Sequence, residues 1–275
     1  MTPDCEWTLI DTETTGIVRP IWAIEIGAQR MQGWAPVGPS FRVLLNHDVE
    51  IPIEASRIHG YTRQMLMREG IPPGQAHQKF RDYSGARPLV SYNLKYDYDD
   101  VLLPEWNRLA LAPIGRQGFC VLRLAQRLLY PSPTANFRLE TLREFYNLPA
   151  RRAHSAVGDV ETVVDLLGSV LKPLASERGL NSFDELASYA MSEWYPETLT
   201  FGKFKGRHFQ DARHDRDLRK WLEWLAGQPA SANTRLAKWY LDQLDRPGGS
   251  SLSRSIAFVT SAGVLRFRIG RWGRG

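Results

Sequence analysis

The sequence predicts an α/β domain with a mixed sheet, followed by a small, basic helical module. Three observations lead there. Short apolar runs of strand character come first and then alternate with amphipathic helical stretches. The texture changes near residue 198, where a glycine- and lysine-rich segment precedes two more amphipathic stretches. The charge changes at the same place: residues 1–197 carry 20 Lys and Arg against 24 Asp and Glu, and residues 198–275 carry 15 against 6.

Each element follows from its own pattern. Trp7–Ile10 is an apolar run ending in Asp11, a buried strand that Thr14-Thr15-Gly16 breaks. Ile24–Met31 and Ser40–Leu45 are further strands, separated by a turn-rich stretch with Gly33, Pro36, Gly38 and Pro39. Pro52 to Gly70 takes helical spacing toward its end, through Met65 and Leu66, and Leu89-Val90-Ser91 is a short strand before Asn93 and Asp97. A helix from Tyr96 is expected to kink or stop at Pro104, which has no N–H to donate. Val121–Leu129, then Leu139, Leu142, Phe145 and Tyr146, then Ala156–Leu174 give three amphipathic faces, the last ending around Pro173 and Gly179.

Residues 178–197 read as a connector with a short helix, Phe183–Met191. Thr200 to Arg207 opens a module over 198–246, with helical faces at Leu218, Trp221, Leu222 and Leu225 and at Leu236, Trp239, Tyr240 and Leu244. The tail 247–275 starts with a Pro-Gly-Gly-Ser-Ser linker, has five arginines and no acid, and suggests a hairpin from Ile256–Thr260 and Val264–Ile269. Phe80, Tyr83, Cys120, Trp221, Trp224 and Trp239 are expected in the core. Trp272, among arginines, reads either as a base-stacking ring or as part of a disordered tail.

Composition bounds the function classes. The 275 residues leave room for one large domain plus a module, and 43% hydrophobic with 24% charged content excludes global disorder. No apolar run reaches about 18 residues, and Met1–Trp7 lacks the pattern of a secretory signal, so a cytoplasmic protein without a membrane partner is expected. Two cysteines without a CxxC argue against a disulfide framework or a zinc site. A net charge of +5, gathered at the C-terminal end, suits a polyanionic partner or a simply solvated basic surface.

Three local patterns carry chemistry. Asp11 and Glu13 lie two apart at the end of a strand, so their side chains share a face. Side by side they repel unless a cation neutralises them, and oxygen ligands suit Mg²⁺ or Mn²⁺. His154 precedes Asp159 by five residues; a helix entered near 156 turns Asp159 toward the sheet and leaves His154 on the loop before it, where a titratable ring suits a general base. Asn93-Leu94-Lys95-Tyr96-Asp97 places a third acid at a strand-to-helix junction. Singly, these have ordinary readings as turn acids and a surface histidine.

Together, in order and spacing, they resemble the DEDDh branch of the DnaQ-like 3′→5′ exonucleases over about residues 7–172. Asp11 to Gly16 matches the first motif, Ile24-Glu25-Ile26-Gly27 the second strand, Ile58-His59-Gly60-Tyr61-Thr62 the segment "IHGIT", and His154 to Asp159 the motif HxxxxD. Asn93 to Asp97 resembles "HNxxFD", with Tyr92 and Tyr96 replacing histidine and phenylalanine. Within the family the likeness is to the exodeoxyribonuclease X type. Cys120 to Leu128 is similar to its "CTxxLARRL", and Phe201 to Gly206 to the "FGKYKG" that opens its C-terminal module.

The resemblance implies a ribonuclease H-like fold, a mixed five-stranded sheet flanked by helices, with a catalytic domain over 1–177. It implies two Mg²⁺ or Mn²⁺ ions held by Asp11, Glu13, Asp97 and Asp159, with Asp11 bridging, and His154 as general base. Nucleoside 5′-monophosphates would leave a DNA 3′ end, in repair or degradation. Thr14, Thr15, Gly16, His59 and Asn93 would line the terminal nucleotide, though His59 also has a structural reading. Lys203, Lys205 and Arg207 would contact the nucleic-acid backbone. The partner expected is DNA, single-stranded or duplex, with RNA trimming on the same scaffold, a polymerase-associated proofreading subunit and a catalytically inactive binder as alternatives. The oligomeric state stays open, a dimer included.

Overall fold

A computed structural model describes residues 5–115, 117–151, 154–246, 257–260 and 263–266. The chain divides into two units, Met1–Met191 and Ser192–Gly275.

In the first unit, strand β1 (Glu6–Thr14) has an alternating pattern that sorts its side chains between two cores. Trp7 and Leu9 face one, with Met31, Val90, Phe119, Leu124, Val160 and Leu166. Ile10 faces the other, with Ile26, Ala28, Phe80, Val101 and Trp106. Asp11 and Glu13 continue the Trp7–Leu9 face. Strand β2 (Ala23–Gln32) runs antiparallel to β1, with Asp11 opposite Gly27 and Glu13 opposite Glu25. The outer edge of β2 carries β3 (Ala35–Pro36) and β4 (Phe41–Leu44), both antiparallel. On the other side β1 pairs in parallel with β5 (Leu89–Ser91), and β5 with β6 (Gln117–Cys120). The mixed sheet has six segments and is five positions wide, because β3 and β4 share one edge.

Helices cover both faces. Helices α1 (Ile53–His59), α2 (Arg63–Glu69) and α3 (Pro73–Ser84) precede β5. A run of wide turns, Lys95–Leu102, then leads into α4 (Leu103–Arg108). Helix α3 and the wide turns supply Phe80 and Val101 to the Ile10 side. Helices α5 (Val121–Leu128), α6 (Leu139–Phe145) and α7 (Ala156–Leu166) follow β6; α7 continues through wide turns Leu167–Leu171 into α8 (Lys172–Glu177), and α9 is Phe183–Met191. All five helices contribute to the Trp7 side. This is the ribonuclease H-like fold that the motifs imply. Among the described residues, no helix is long and apolar enough to cross a membrane.

Several expectations need correction. Pro104 and Pro173 do not end their helices. Before each proline the hydrogen-bond ladder widens, so that the amide of Leu103 reaches the carbonyl of Tyr98 and that of Lys172 reaches Leu167. Each proline then sits in the first turn of the next segment, where an N–H is not required. Helix α3 was not expected, because its buried stripe is only Ala76, His77, Phe80 and Ser84 in a polar run. Strand β6 was not expected either. It contains Gly118, where a Cβ would come within 2.7 Å of Val90, so the glycine allows close strand pairing instead of breaking the strand. The helix placed in the connector packs as α9 against the first unit, through Phe183, Leu186 and Ala190.

The second unit starts at Ser192. Segment 198–208 doubles back, and a 3₁₀ turn, Phe209–Arg213, leads to α10 (Arg216–Ala226) and α11 (Ala232–Asp245). Leu199, Phe209, Leu218, Leu222, Leu236 and Tyr240 form its core. The hydroxyl of Tyr240 donates to the carbonyl of Pro196 at 2.6 Å, and Tyr195 stacks on Trp239, so the end of the expected connector belongs here. Trp224, expected in the core, is 59% exposed. Strands β7 (Ala257–Thr260) and β8 (Gly263–Arg266) pair antiparallel, as the tail pattern suggests. Trp272 and the arginines beyond Arg266 lie outside the described residues.

Gly27 and Gly168 give a contrasted test of packing. A Cβ on Gly27 would lie 2.5 Å from the backbone of Ala156, whereas Gly168, in a helical turn, has open space. Gly27→Ala should destabilise the chain by about 1–3 kcal/mol through overpacking. Gly168→Ala should stabilise it by up to about 1 kcal/mol. Denaturation midpoints of the two variants check both; equal midpoints would refute the close contact.

Candidate active site

Asp11 and Glu13 reach the site because β1 carries its alternation past the apolar core. Asp159 comes from the first turn of α7. One carboxylate oxygen from each of the three lies within 4.8 Å of the others, a grouping that could hold a metal ion.

Strand β2 brings α7 to this place. The missing side chain of Gly27 lets the backbone of Ala156 and Val157 rest on the strand. Beside it, the fully buried Glu25 accepts the amide of Ala156 at 2.9 Å and the hydroxyl of Tyr61 at 2.9 Å, and it pairs with Arg42 at 2.5 Å. Arg42 also donates to the Tyr61 hydroxyl at 2.9 Å, closing the network. Ala156 is the first residue of α7, where amides lack helical partners and a carboxylate meets the positive end of the helix dipole. Ser155 caps the same helix, its hydroxyl accepting from Gly158 at 3.2 Å.

Asp97 lies in the wide turns and is 3% exposed. One carboxylate oxygen accepts the amide and the hydroxyl of Thr12 at 3.1 and 2.7 Å, and the other accepts the hydroxyl of Ser91. Asp97 is thus held by protein donors beside the group of three.

The carboxylates resist ionisation together. Burial, followed by repulsion from Asp97, Asp159, Glu13 and Glu25, pushes Asp11 well above its ordinary value. Burial and the same neighbours push Glu13 up to about 8. Asp97 rises to about 6 by burial, opposed by the Ser91 and Thr12 donors. Asp159 also rises to about 6 by burial, opposed by nearby His154. Protons or a cation must offset this much gathered charge.

His154 is exposed and immediately precedes the Ser155 cap. Its backbone is left-handed, at φ +55°, a conformation that costs a non-glycine residue about 1 kcal/mol or more.

The residues expected around the nucleotide sit at the end of β1 and beside it. The Thr14 hydroxyl meets the Tyr96 hydroxyl at 2.6 Å and accepts from the Gly16 amide at 3.1 Å. The Tyr96 hydroxyl lies 3.0 Å from the Gly16 carbonyl, and the Thr15 hydroxyl accepts from the Trp22 amide at 3.1 Å. Gly16 stands at φ +118°, which only glycine adopts easily. These contacts fix the turn's shape. His59 is buried, accepts the Tyr61 amide at 3.0 Å and stacks on Tyr61; burial lowers its pKa. Asn93 is exposed, and its carbonyl accepts from Tyr96 and Asp97 at 2.8 and 3.2 Å.

Lys203, Lys205 and Arg207 belong to the second unit. All three are exposed, and Arg207 is matched by Asp211 and Asp215 at 2.8 and 3.2 Å, so its charge is already engaged.

Four positions had no role in the sequence reading: Thr12, Glu25, Ser91 and Tyr96. Glu25 alone left a signal, a charged residue between Ile24 and Ile26 in an otherwise apolar strand.

Comparison with known proteins identifies the family and the fold. A family model described as an exonuclease, RNase_T, matches residues 8–167. A Mycobacterium tuberculosis (strain CDC 1551 / Oshkosh) protein assigned as a bifunctional exonuclease/endonuclease is 28% identical over 66% of this chain and 29% of its own length. A PolC-type DNA polymerase III of Caldanaerobacter subterraneus subsp. tengcongensis is 25% identical over 68% of this chain and 13% of its own. This chain therefore spans less than a third of the curated relatives it matches. The Escherichia coli exonuclease I structure in complex with a dT13 oligonucleotide shares the fold with a TM-score of 0.55, at 18% identity, over 64% of this chain and 43% of that one. The chain belongs to the RNase_T exonuclease family.

Proposed function

We propose that the chain is a metal-dependent 3′→5′ exonuclease that removes nucleoside 5′-monophosphates from DNA 3′ ends. The observation that carries this reading is the convergence of Asp11, Glu13 and Asp159, with Asp97 beside them, on a scaffold of an exonuclease family. The donor set is all oxygen and electrostatically strained, which suits two Mg²⁺ or Mn²⁺ ions. Once bound, a pair of such ions stabilises both the attacking and the leaving oxygen of an in-line displacement at phosphorus. Asp11, Glu13 and Asp159 would hold the ions, and Asp97, already oriented by Thr12 and Ser91, would complete the set. His154 takes a proton from the attacking water. The bond from phosphorus to the 3′-oxygen of the penultimate nucleotide breaks, and that oxygen is protonated as it leaves. Thr14, Thr15, Gly16, His59 and Asn93 shape the seat of the terminal nucleotide.

DNA as substrate is supported by the oligonucleotide complex of exonuclease I and by the polymerase relative. The latter also favours a second reading, a proofreading module working beside a polymerase. The likeness of Phe201–Gly206 to the start of the exodeoxyribonuclease X C-terminal module supports that type, and through it a role in repair or degradation.

Digestion of 5′-labelled single-stranded DNA, duplex DNA and RNA with Mg²⁺ or Mn²⁺ tests the function. A ladder shortening from the 3′ end of DNA is expected, with RNA cut more slowly. Asp11→Ala should abolish it, and His154→Ala should slow it by about 10²–10⁴-fold. Full activity in Asp11→Ala would sink the assigned site.

The strained carboxylates predict how pH and metal act on stability. Glu13, Asp97 and Asp159 have folded pKa values raised above their ordinary ones, so the metal-free protein is most stable below about pH 4 with respect to these groups. That stability is lost as pH rises through about 6 and about 8. Mg²⁺ should therefore raise the melting temperature more at pH 8 than at pH 5. Asp11→Asn in EDTA at pH 8 should melt higher than wild type, by about 2–4 °C per kcal/mol of repulsion relieved, while losing activity. A melting temperature insensitive to Mg²⁺ at pH 8 would contradict metal binding here.

A further inference from the structure

The second unit carries an aromatic and basic face. Segment 198–208 is closed by two hydrogen bonds of 2.8 Å, from the Leu199 amide to the Arg207 carbonyl and from the Gly206 amide to the Leu199 carbonyl. Near its apex Gly202 sits at φ +74°, and a Cβ there would lie 2.5 Å from the Trp221 ring. The absent side chain lets the apex lie on that indole. The Phe201 and Phe204 rings stand 5.9 and 5.6 Å from Trp221. This places the Lys203 ammonium 4.6 Å from the centre of the Phe204 ring, a cation–π distance.

On α10, Trp224 follows Trp221 by three residues and Lys220 by four, so the three share one side of the helix. Trp224 is 59% exposed, so its ring is accessible to a ligand. The charges around it favour an anion. Lys203 and Lys220 flank the aromatic face and are exposed. Of the acids on α10, Glu223 is paired with Arg219 at 3.1 Å, and the exposed Asp217 lies two turns from Trp224.

We propose that this face binds single-stranded nucleic acid, with Trp224 stacking on a base and Lys203 and Lys220 contacting the flanking phosphates. Every base offers a flat π face, so such a surface would be indifferent to sequence and sensitive to salt. The choice of nucleic acid as occupant rests on the exonuclease reading above. The face would serve to hold the strand, separately from the carboxylate site that cuts it.

The test uses the full chain in EDTA and the fluorescence anisotropy of a labelled oligo(dT) of about 20 nucleotides. Trp224→Ala should weaken binding about tenfold, and Trp224→Phe should keep most of it. Lys203→Gln and Lys220→Gln should each lower the salt slope by roughly one. Circular dichroism matching wild type should accompany each variant, since all three side chains are exposed. With Mg²⁺ and saturating DNA, Trp224→Ala should cleave at the wild-type rate. Unchanged affinity in Trp224→Ala, or no binding of oligo(dT) by the wild type, would overturn the proposal. So would a Trp224→Ala variant that changes oligomeric state while binding DNA normally, because the face would then meet protein. A wild type that binds through Trp224 yet cleaves no nucleic acid would leave this face standing and remove the exonuclease reading.

Discussion

Mutual repulsion among half-buried carboxylates is the constraint around which the first unit is arranged. Asp11, Glu13 and Asp159 converge within 4.8 Å, with Asp97 and Glu25 near enough to add to the cost of charge. A fold left to relax would separate them. Two features prevent it. The full-length pairing of β1 with β2 fixes Asp11 and Glu13 in register. Gly27 lets the start of α7 seat closely on β2, and the bond from Glu25 to the Ala156 amide holds the helix that bears Asp159 there.

Glu25 works on both sides of this constraint. Its charge adds to the repulsion, yet its carboxylate binds the first amide of α7 and so anchors the helix that bears Asp159. Arg42 and Tyr61 make this arrangement tolerable by pairing with it from β4 and from the loop after α1. Thr12 and Ser91 do the same for Asp97. The protein thus stabilises Glu25 and Asp97 with its own donors beside the cluster of Asp11, Glu13 and Asp159. Stability spent at such a site is a common cost of function.

The charge distribution follows the same division. The first unit is slightly net acidic, and the second carries all of the basic excess. An acidic site attracts a polyanion poorly, so on the proposed reading a basic surface elsewhere in the chain would complement it. Within the second unit, Gly202 lets the segment that bears Lys203 lie on Trp221, and helical spacing sets Lys220 and Trp224 one turn apart.

Much of the site was legible in the sequence. Two residues apart on a strand means one face, so Asp11 and Glu13 could be paired, and a helix entered near 156 turned Asp159 toward the sheet. Most of the strands and amphipathic helices were likewise encoded by local periodicity. Periodicity does not say which neighbour arrives. Only the tertiary structure decided that Glu25 would anchor α7, that Tyr96 would fix the turn at Gly16, and that Arg207 would be matched by Asp211 and Asp215. The same holds for Pro104 and Pro173, carried inside continuous helices by a widened ladder, and for Trp224, whose helical spacing fitted a core that Leu218, Leu222 and Leu225 fill without it. Local sequence sets the direction of a side chain; burial and partnership depend on chain segments that can lie a hundred residues away, as Ala156 does from Glu25.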